Sequence, residues 1–97
     1  MSTHTEDIQV AYDVDANGYV LTVDGEVAGV AEVLRGDGVM IFTHTEIAPE
    51  FGGRGLAKVL LSRALADVAA QDLTVEARCH FVAAYLMKNP DAARRAD

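Results

Sequence analysis

The first half of the chain alternates short apolar runs with turn dipeptides. Ile8–Val14, Tyr19–Val23, Glu26–Leu34 and Val39–Ile47 are rich in β-branched and aromatic residues, and Asn17-Gly18, Asp24-Gly25 and Asp37-Gly38 separate them. Asn-Gly and Asp-Gly readily take the positive φ angles of tight hairpin turns. The pattern predicts four strands in an antiparallel meander. Pro49 ends the fourth, because proline has no N–H to give to a ladder. From Arg54 to about Ala70 the period lengthens. Ala57, Leu60, Leu61, Ala64 and Val68 fall on one helical face, while Lys58, Ser62, Arg63 and Asp67 lie off it. A helix of that length runs about 25 Å and crosses a small sheet. Leu73–Arg78 predicts a fifth strand, which a right-handed crossover places parallel to the fourth and beside it. Phe81–Lys88 predicts a short second helix ended by Asn89-Pro90, and Asp91–Asp97, without a clear apolar stripe, is expected to fray. The expected fold is α/β (α+β), with a mostly antiparallel five-stranded sheet, one long helix after strand four and a short C-terminal helix. All of it is expected to form one domain over 1–97, with its core at about 8–90.

A chain of 97 residues with 51% hydrophobic content can build one core without disulfides or a structural metal. Its lone cysteine, Cys79, excludes an intramolecular disulfide and fits a reducing compartment. Met1–Asp7 is polar and acidic, unlike a secretory signal, and no apolar run approaches the roughly 18 residues of a membrane span. These features lead to the expectation of a soluble, cytoplasmic protein with no membrane partner. Fifteen Asp and Glu against 8 Lys and Arg give a net charge of -7, which argues against a nucleic-acid partner. The same balance suits a cationic acceptor such as an amine, and equally simple solubility. One cysteine and three scattered histidines form no zinc ligand set, so no metal is expected.

The chemistry concentrates in Phe42–Lys58, a strand, a turn closed by Gly52-Gly53-Arg54-Gly55, and the start of a helix. Glycines at such a junction let backbone N–H groups point outward together, and a helix N-terminus adds roughly +0.5 of an elementary charge. That is a cradle for a diphosphate. No Gly-Lys-Ser/Thr of a P-loop is present, and Lys58 stands where a dinucleotide fingerprint has its third glycine. A remaining pattern, glycine-x-glycine or alanine opening a long helix after a meander, does fit. His44 and Glu46 lie two apart on a strand and so share a face, with Ile41, Thr43, Thr45 and Ile47 assigned to the other. Beside an anion-binding turn they form a candidate general-base pair, or a solvated strand face. Cys79 follows a strand at a helix N-terminus, next to His80, where the dipole favours a thiolate. An isolated cysteine also serves as a small buried hydrophobe, and both readings stand. Tyr85, on the second helix, has its own packing alternative. His4 is assigned to an N-terminal tail and His80 to the helix cap beside Cys79.

Glu50-Phe51-Gly52-Gly53-Arg54-Gly55 resembles the Gln/Arg-x-x-Gly-x-Gly/Ala pyrophosphate loop of the GNAT superfamily of acyl-CoA-dependent N-acetyltransferases, departing from it at Glu50. His44-Thr45-Glu46-Ile47-Ala48-Pro49 and Cys79-His80-Phe81-Val82-Ala83-Ala84-Tyr85 narrow the resemblance to a small single-domain branch with His-Thr-Glu-(Val/Ile)-x-Pro and Cys-x-Phe-x-x-x-Tyr. The resemblance extends over residues 8–90. Larger relatives carry two helices between their first strands, where this chain has the tight turn at Asn17-Gly18. The resemblance implies acetyl transfer from acetyl-CoA to an unidentified small-molecule or peptide amine. It implies that backbone groups of Phe51, Gly52, Gly53, Arg54, Gly55, Leu56 and Ala57 hold the pyrophosphate, with Arg54 and Lys58 adding charge. Ile47 and Ala48 would hydrogen-bond the pantetheine arm. It further implies two routes: His44 activates Cys79 to carry the acetyl group, or Glu46 or His44 deprotonates the amine for direct transfer. In the direct route Tyr85 would protonate the departing CoA thiolate. A non-catalytic CoA-binding sensor or protein-interaction module on the same fold is the alternative, and the oligomeric state stays open.

Overall fold

The computed structural model describes residues 6–96, so His4 lies outside the described residues. The elements are β1 (Ile8–Asp13), β2 (Gly18–Val23), β3 (Glu26–Arg35), β4 (Val39–Ile47), α1 (Leu56–Ala70), β5 (Thr74–Ala77) and α2 (His80–Lys88), with 3-10 turns at Pro49–Phe51 and Pro90–Ala92. The sheet order is β1-β2-β3-β4-β5, antiparallel except for the parallel β4–β5 pair, as the turn signals and the crossover predict. Asn17 and Asp24 take positive φ angles of 54° and 51° at the hairpins. At Gly18 a Cβ would lie 2.1 Å from the Ala31 carbonyl oxygen, so only glycine lets β2 approach β3 there. No helix among the described residues is long and apolar enough to cross a membrane.

One face of the sheet carries the helices. Leu60, Leu61, Ala64, Leu65 and Val68 of α1 are buried against Tyr19, Leu21, Ala31, Phe42 and Val75. α1 begins at Leu56 rather than at Arg54, because Gly55 takes a left-handed φ of 72° that no helix continues. Tyr19, 2% exposed, stacks on Phe42 and donates its hydroxyl to Asp67 Oδ2 at 2.6 Å. Burial, and then the Asp67 carboxylate, push the Tyr19 phenol far above its ordinary range.

Two features depart from the sequence expectation. The C-terminal segment does not fray: Val75 N–H donates to the Arg94 carbonyl at 2.7 Å and Ala96 N–H to the Val75 carbonyl at 2.9 Å. β5 is a sheet edge with unpaired backbone groups, and this segment covers part of it. The second departure is a β-bulge. Glu32 pairs with His44 and Val33 with Phe42, so Thr43 is an extra residue in β4. An extra residue reverses the alternation of side chains beyond it. Met40 and Phe42 point into the core before the bulge, and Thr45 does so after it. Ile41 therefore shares the outer face with His44 and Glu46, and not, as expected, the face of Thr45 and Ile47.

Candidate functional site

β4 and β5 pair from Val39–Thr74 to Phe42–Ala77, and the last rung is Arg78 N–H to the Phe42 carbonyl at 2.9 Å. Past that rung β4 runs on to Ile47 against β3 alone, while the chain after β5 turns into α2. The two strands splay apart. Both α1 and α2 follow the carboxyl ends of this parallel pair, so both helix N-termini lie at the same end of the sheet. The carboxyl ends of parallel strands are where such sheets bind ligands.

Backbone groups line the opening. Ala48 N–H donates to the Ala28 carbonyl at 2.8 Å, so His44, Glu46 and Ala48 aim their backbone at β3 and Thr45 and Ile47 aim theirs into the splay. The Ala48 carbonyl in turn accepts Phe51 N–H at 2.9 Å. Of the expected pair Ile47 and Ala48, Ala48 is thus engaged within the chain on both sides, while Ile47, with Thr45, turns its backbone groups toward the splay.

The glycine turn presents its amides outward. Gly53 and Gly55 have φ of 74° and 72°, and a Cβ at either would meet nothing within 4 Å. Glycine is required there by conformation and not by crowding, because that region disfavours every residue with a Cβ. The amides of Phe51 and Gly52 are engaged inside the 3-10 turn. Among the described residues, no N–H from Gly53 to Lys58 has a backbone acceptor, and no side chain caps α1. These are the orphan donors of a helix start, arranged in a row. Phe51 anchors the turn in the core at 9% exposure. Arg54 lies over the Phe51 ring, 5.7 Å from its centroid, and is ion-paired with Glu6. The Arg54 charge expected to be free for phosphates is thus already partnered, while Lys58 stands exposed in the first turn of α1.

A groove of about 760 Å³ lies between α1 and α2 and takes in Ala57 and Lys58 of the first turn of α1. Lys58 and Arg63 line one wall, and Phe81, Tyr85 and Lys88 the other. Three cations thus line one largely apolar groove in a chain of net charge -7, and one of them, Arg63, also donates to the Ile8 carbonyl at 2.8 Å. In the sequence Arg63 and Lys88 carried no binding role, and Phe81 entered only through the Cys-x-Phe-x-x-x-Tyr motif. The available signal was their spacing, since 81, 85 and 88 share one face of a helix.

Cys79 occupies the N-cap of α2, half-buried, and its thiol donates to Thr45 Oγ1 at 3.5 Å. Burial alone would raise its pKa. The Thr45 hydroxyl, the amides of Val82 and Phe81 and the Thr45 amide outweigh that, and the thiol sits below its ordinary range. No full side-chain cap to α2 forms, so the amides act through their orientation at the helix start. His44 is elsewhere. Its side chain, 55% exposed, puts Nε2 3.2 Å from Glu46 Oε1 on the outer face of the sheet. The structure brings together His44 with Glu46 and Cys79 with Thr45. The expected contact of His44 with Cys79 gives way because residues 44 and 45 point to opposite faces of β4. Tyr85 is half-buried in the groove wall, on the same helix as the Cys79 cap, and His80 is exposed.

A family model described as GCN5-related N-acetyl-transferase matches residues 18–95. The chain is 29% identical over 85 residues to the chicken (Gallus gallus) protein NATD1, covering 86% of this chain and 77% of that one. It is 34% identical over 55 residues to the mouse (Mus musculus) protein NATD1, covering 57% and 50% of the two chains. To the Xenopus tropicalis protein NATD1 it is 38% identical over 47 residues, covering 48% and 43%. The matched segments thus span half or less of the mouse and frog relatives.

Proposed function

The chain belongs to the GCN5-related N-acetyltransferase family, and on that premise we propose that it moves an acetyl group from acetyl-CoA to an amine by way of an acetyl-cysteine on Cys79. The observation that carries this reading is the thiol of Cys79, hydrogen-bonded to Thr45 and lowered in pKa, at the splay between β4 and β5. The residues present fit the donor. The open amides from Gly53 to Lys58 suit its diphosphate, and the Thr45 and Ile47 backbone suits the pantetheine amides. Lys58, Arg63 and Lys88 supply positive charge along the groove for the nucleotide end. Bound there, acetyl-CoA supplies an activated acyl group.

The Cys79 thiol first gives up its proton to solvent, the Thr45 hydroxyl turning to donate to the thiolate. The thiolate sulfur then attacks the carbonyl carbon of the thioester, forming its own C–S bond as the bond to the CoA sulfur breaks. The departing sulfur takes the electron pair and then a proton, for which Tyr85, in the groove wall on α2, is the candidate donor. In the second step the amine nitrogen attacks the acetyl-cysteine, the N–C bond forms and the Cys79 thiolate leaves. His44, backed by Glu46 on the outer face, takes the proton the amine gives up. Mass spectrometry of the protein after brief exposure to acetyl-CoA tests the first step, and thiol release across amine classes tests the second. An acetyl group on the Cys79 peptide with amine-dependent release supports the reading. Tight binding with neither adduct nor release would leave a CoA-binding sensor on the same fold.

A further inference from the structure

We infer that Thr45 is the positioning residue of this site: its buried hydroxyl, aimed inward by the extra residue at Thr43, holds the Cys79 sulfur in the splay between β4 and β5. The inference rests on the reading of Cys79 as acetyl carrier, and it starts from a cost. Thr45 is 6% exposed and, Tyr19 apart, is the polar side chain that the described core takes in. A buried hydroxyl is unfavourable unless it is hydrogen-bonded, and valine would fill the same space without that demand. The partner that its hydroxyl has is Cys79 Sγ at 3.5 Å.

The backbone is shaped to make this contact. Without the bulge, strict alternation from Phe42 would put Thr45 on the outer face with the solvent. With it, Thr45 faces inward just past the last β4–β5 rung, where its hydroxyl meets the cap of α2. Bulges beside active sites commonly re-aim one side chain in this way. The contact works for both forms of the sulfur. The neutral thiol donates to Oγ1, and on ionisation the hydroxyl turns and donates to the thiolate, a stronger bond because its acceptor is charged. The ionisable groups on the surrounding elements are His44 and Glu46, paired on the outer face of β4, Arg78, paired with Glu76, and His80, Tyr85, Lys88 and Lys58. None of them is among the influences that lower the thiol, while the Thr45 hydroxyl and amide both are.

The experiment is the pH profile of Cys79 alkylation by iodoacetamide in the intact chain, for the parent, Thr45→Val and Thr45→Ser. It needs neither acetyl-CoA nor an acceptor. Thr45→Val should move the inflection up by about one pH unit, the worth of a hydrogen bond to a charged group. Thr45→Ser should restore it, which a merely space-filling role would not do. An unchanged inflection in Thr45→Val, or a serine variant that behaves like valine, overturns the inference. If the profiles shift as expected while acetyl-CoA leaves no adduct on parental Cys79, positioning by Thr45 stands and the covalent route falls.

Discussion

Arg54, in the turn proposed to hold the diphosphate, is ion-paired with Glu6 just before β1 and lies over the Phe51 ring. A carboxylate therefore occupies the guanidinium that an incoming phosphate would use. Both side chains are more than a third exposed, so the pair is worth only about 0.2–1 kcal/mol. Glu6→Gln should tighten CoA binding by roughly 1.5- to 5-fold, the affinity equivalent of that energy. Arg54→Gln should weaken it and flatten its salt dependence. Calorimetric titration at two ionic strengths checks both, and equal affinity in Glu6→Gln and the parent would mean that Arg54 takes no part.

Gly53→Val and Gly55→Val each place a β-branched side chain at a left-handed φ. The turn must then change conformation, and the row of outward amides is lost. One amide donating to a phosphate is worth about 1.5–3 kcal/mol. CoA affinity should fall by about tenfold or more, with the circular dichroism of the sheet and α1 retained. Parental affinity in a folded variant would place the cradle elsewhere.

Tyr19 and Asp67 couple the sheet to α1, and Gln71 also donates to Asp67 at 2.8 Å. The folded chain holds the Tyr19 phenol protonated well above its ordinary value of 10. Its contribution to stability is therefore full below that value, where the unfolded chain is protonated too, and declines as pH rises further towards the folded value. Tyr19→Phe should cost about 1.5–3 kcal/mol at neutral pH, for the lost bond to a charged carboxylate. It should also lose stability less steeply above pH 10 than the parent does. Urea midpoints at neutral pH and above pH 10 measure both effects.

Cys79→Ala leaves the Thr45 hydroxyl buried without the sulfur it meets. An unpaired buried hydroxyl costs about 1–3 kcal/mol, whereas replacing both partners with apolar groups is nearly neutral. Cys79→Ala should lower the urea midpoint, and adding Thr45→Val should recover most of the loss. A double variant that is the sum of two losses would show that the two side chains are not coupled in the fold.

Local chemistry explains which of these features were legible in the sequence. Hairpins at Asn17 and Asp24, the period of α1 and the parallel crossover all follow from residues close together along the chain, and the structure has them. The bulge at Thr43 arises from how β4 pairs with β3, and no residue at 43 announces it. Everything downstream of that extra residue then shifts by one face, which turned an expected His44–Cys79 pair into Thr45–Cys79. The Glu6–Arg54 pair and the covering of β5 by Arg94–Ala96 join residues far apart in sequence, where propensity carries no information. The glycine turn was visible because its conformation needs glycine, and its open amides are a direct consequence.

The reversed face of His44 changes what its removal should do. Were His44 the activator of Cys79, His44→Ala would slow the first step, formation of the acetyl-cysteine. On the outer face, where it is hydrogen-bonded to Glu46 at 3.2 Å, the role proposed for it is to serve the amine instead. His44→Ala should therefore leave the rate of adduct formation and the alkylation profile of Cys79 close to parental. Release of the acetyl group to an amine should slow by about 10²- to 10⁴-fold, the usual contribution of a positioned general base. The acetylated protein should then accumulate, and time-resolved mass spectrometry with and without amine reads the two steps separately. Glu46→Gln should act in the same direction but more weakly, since it only orients the imidazole. Slowed adduct formation in His44→Ala, with amine transfer unchanged, would return His44 to the thiol and contradict the separation of the two faces of β4.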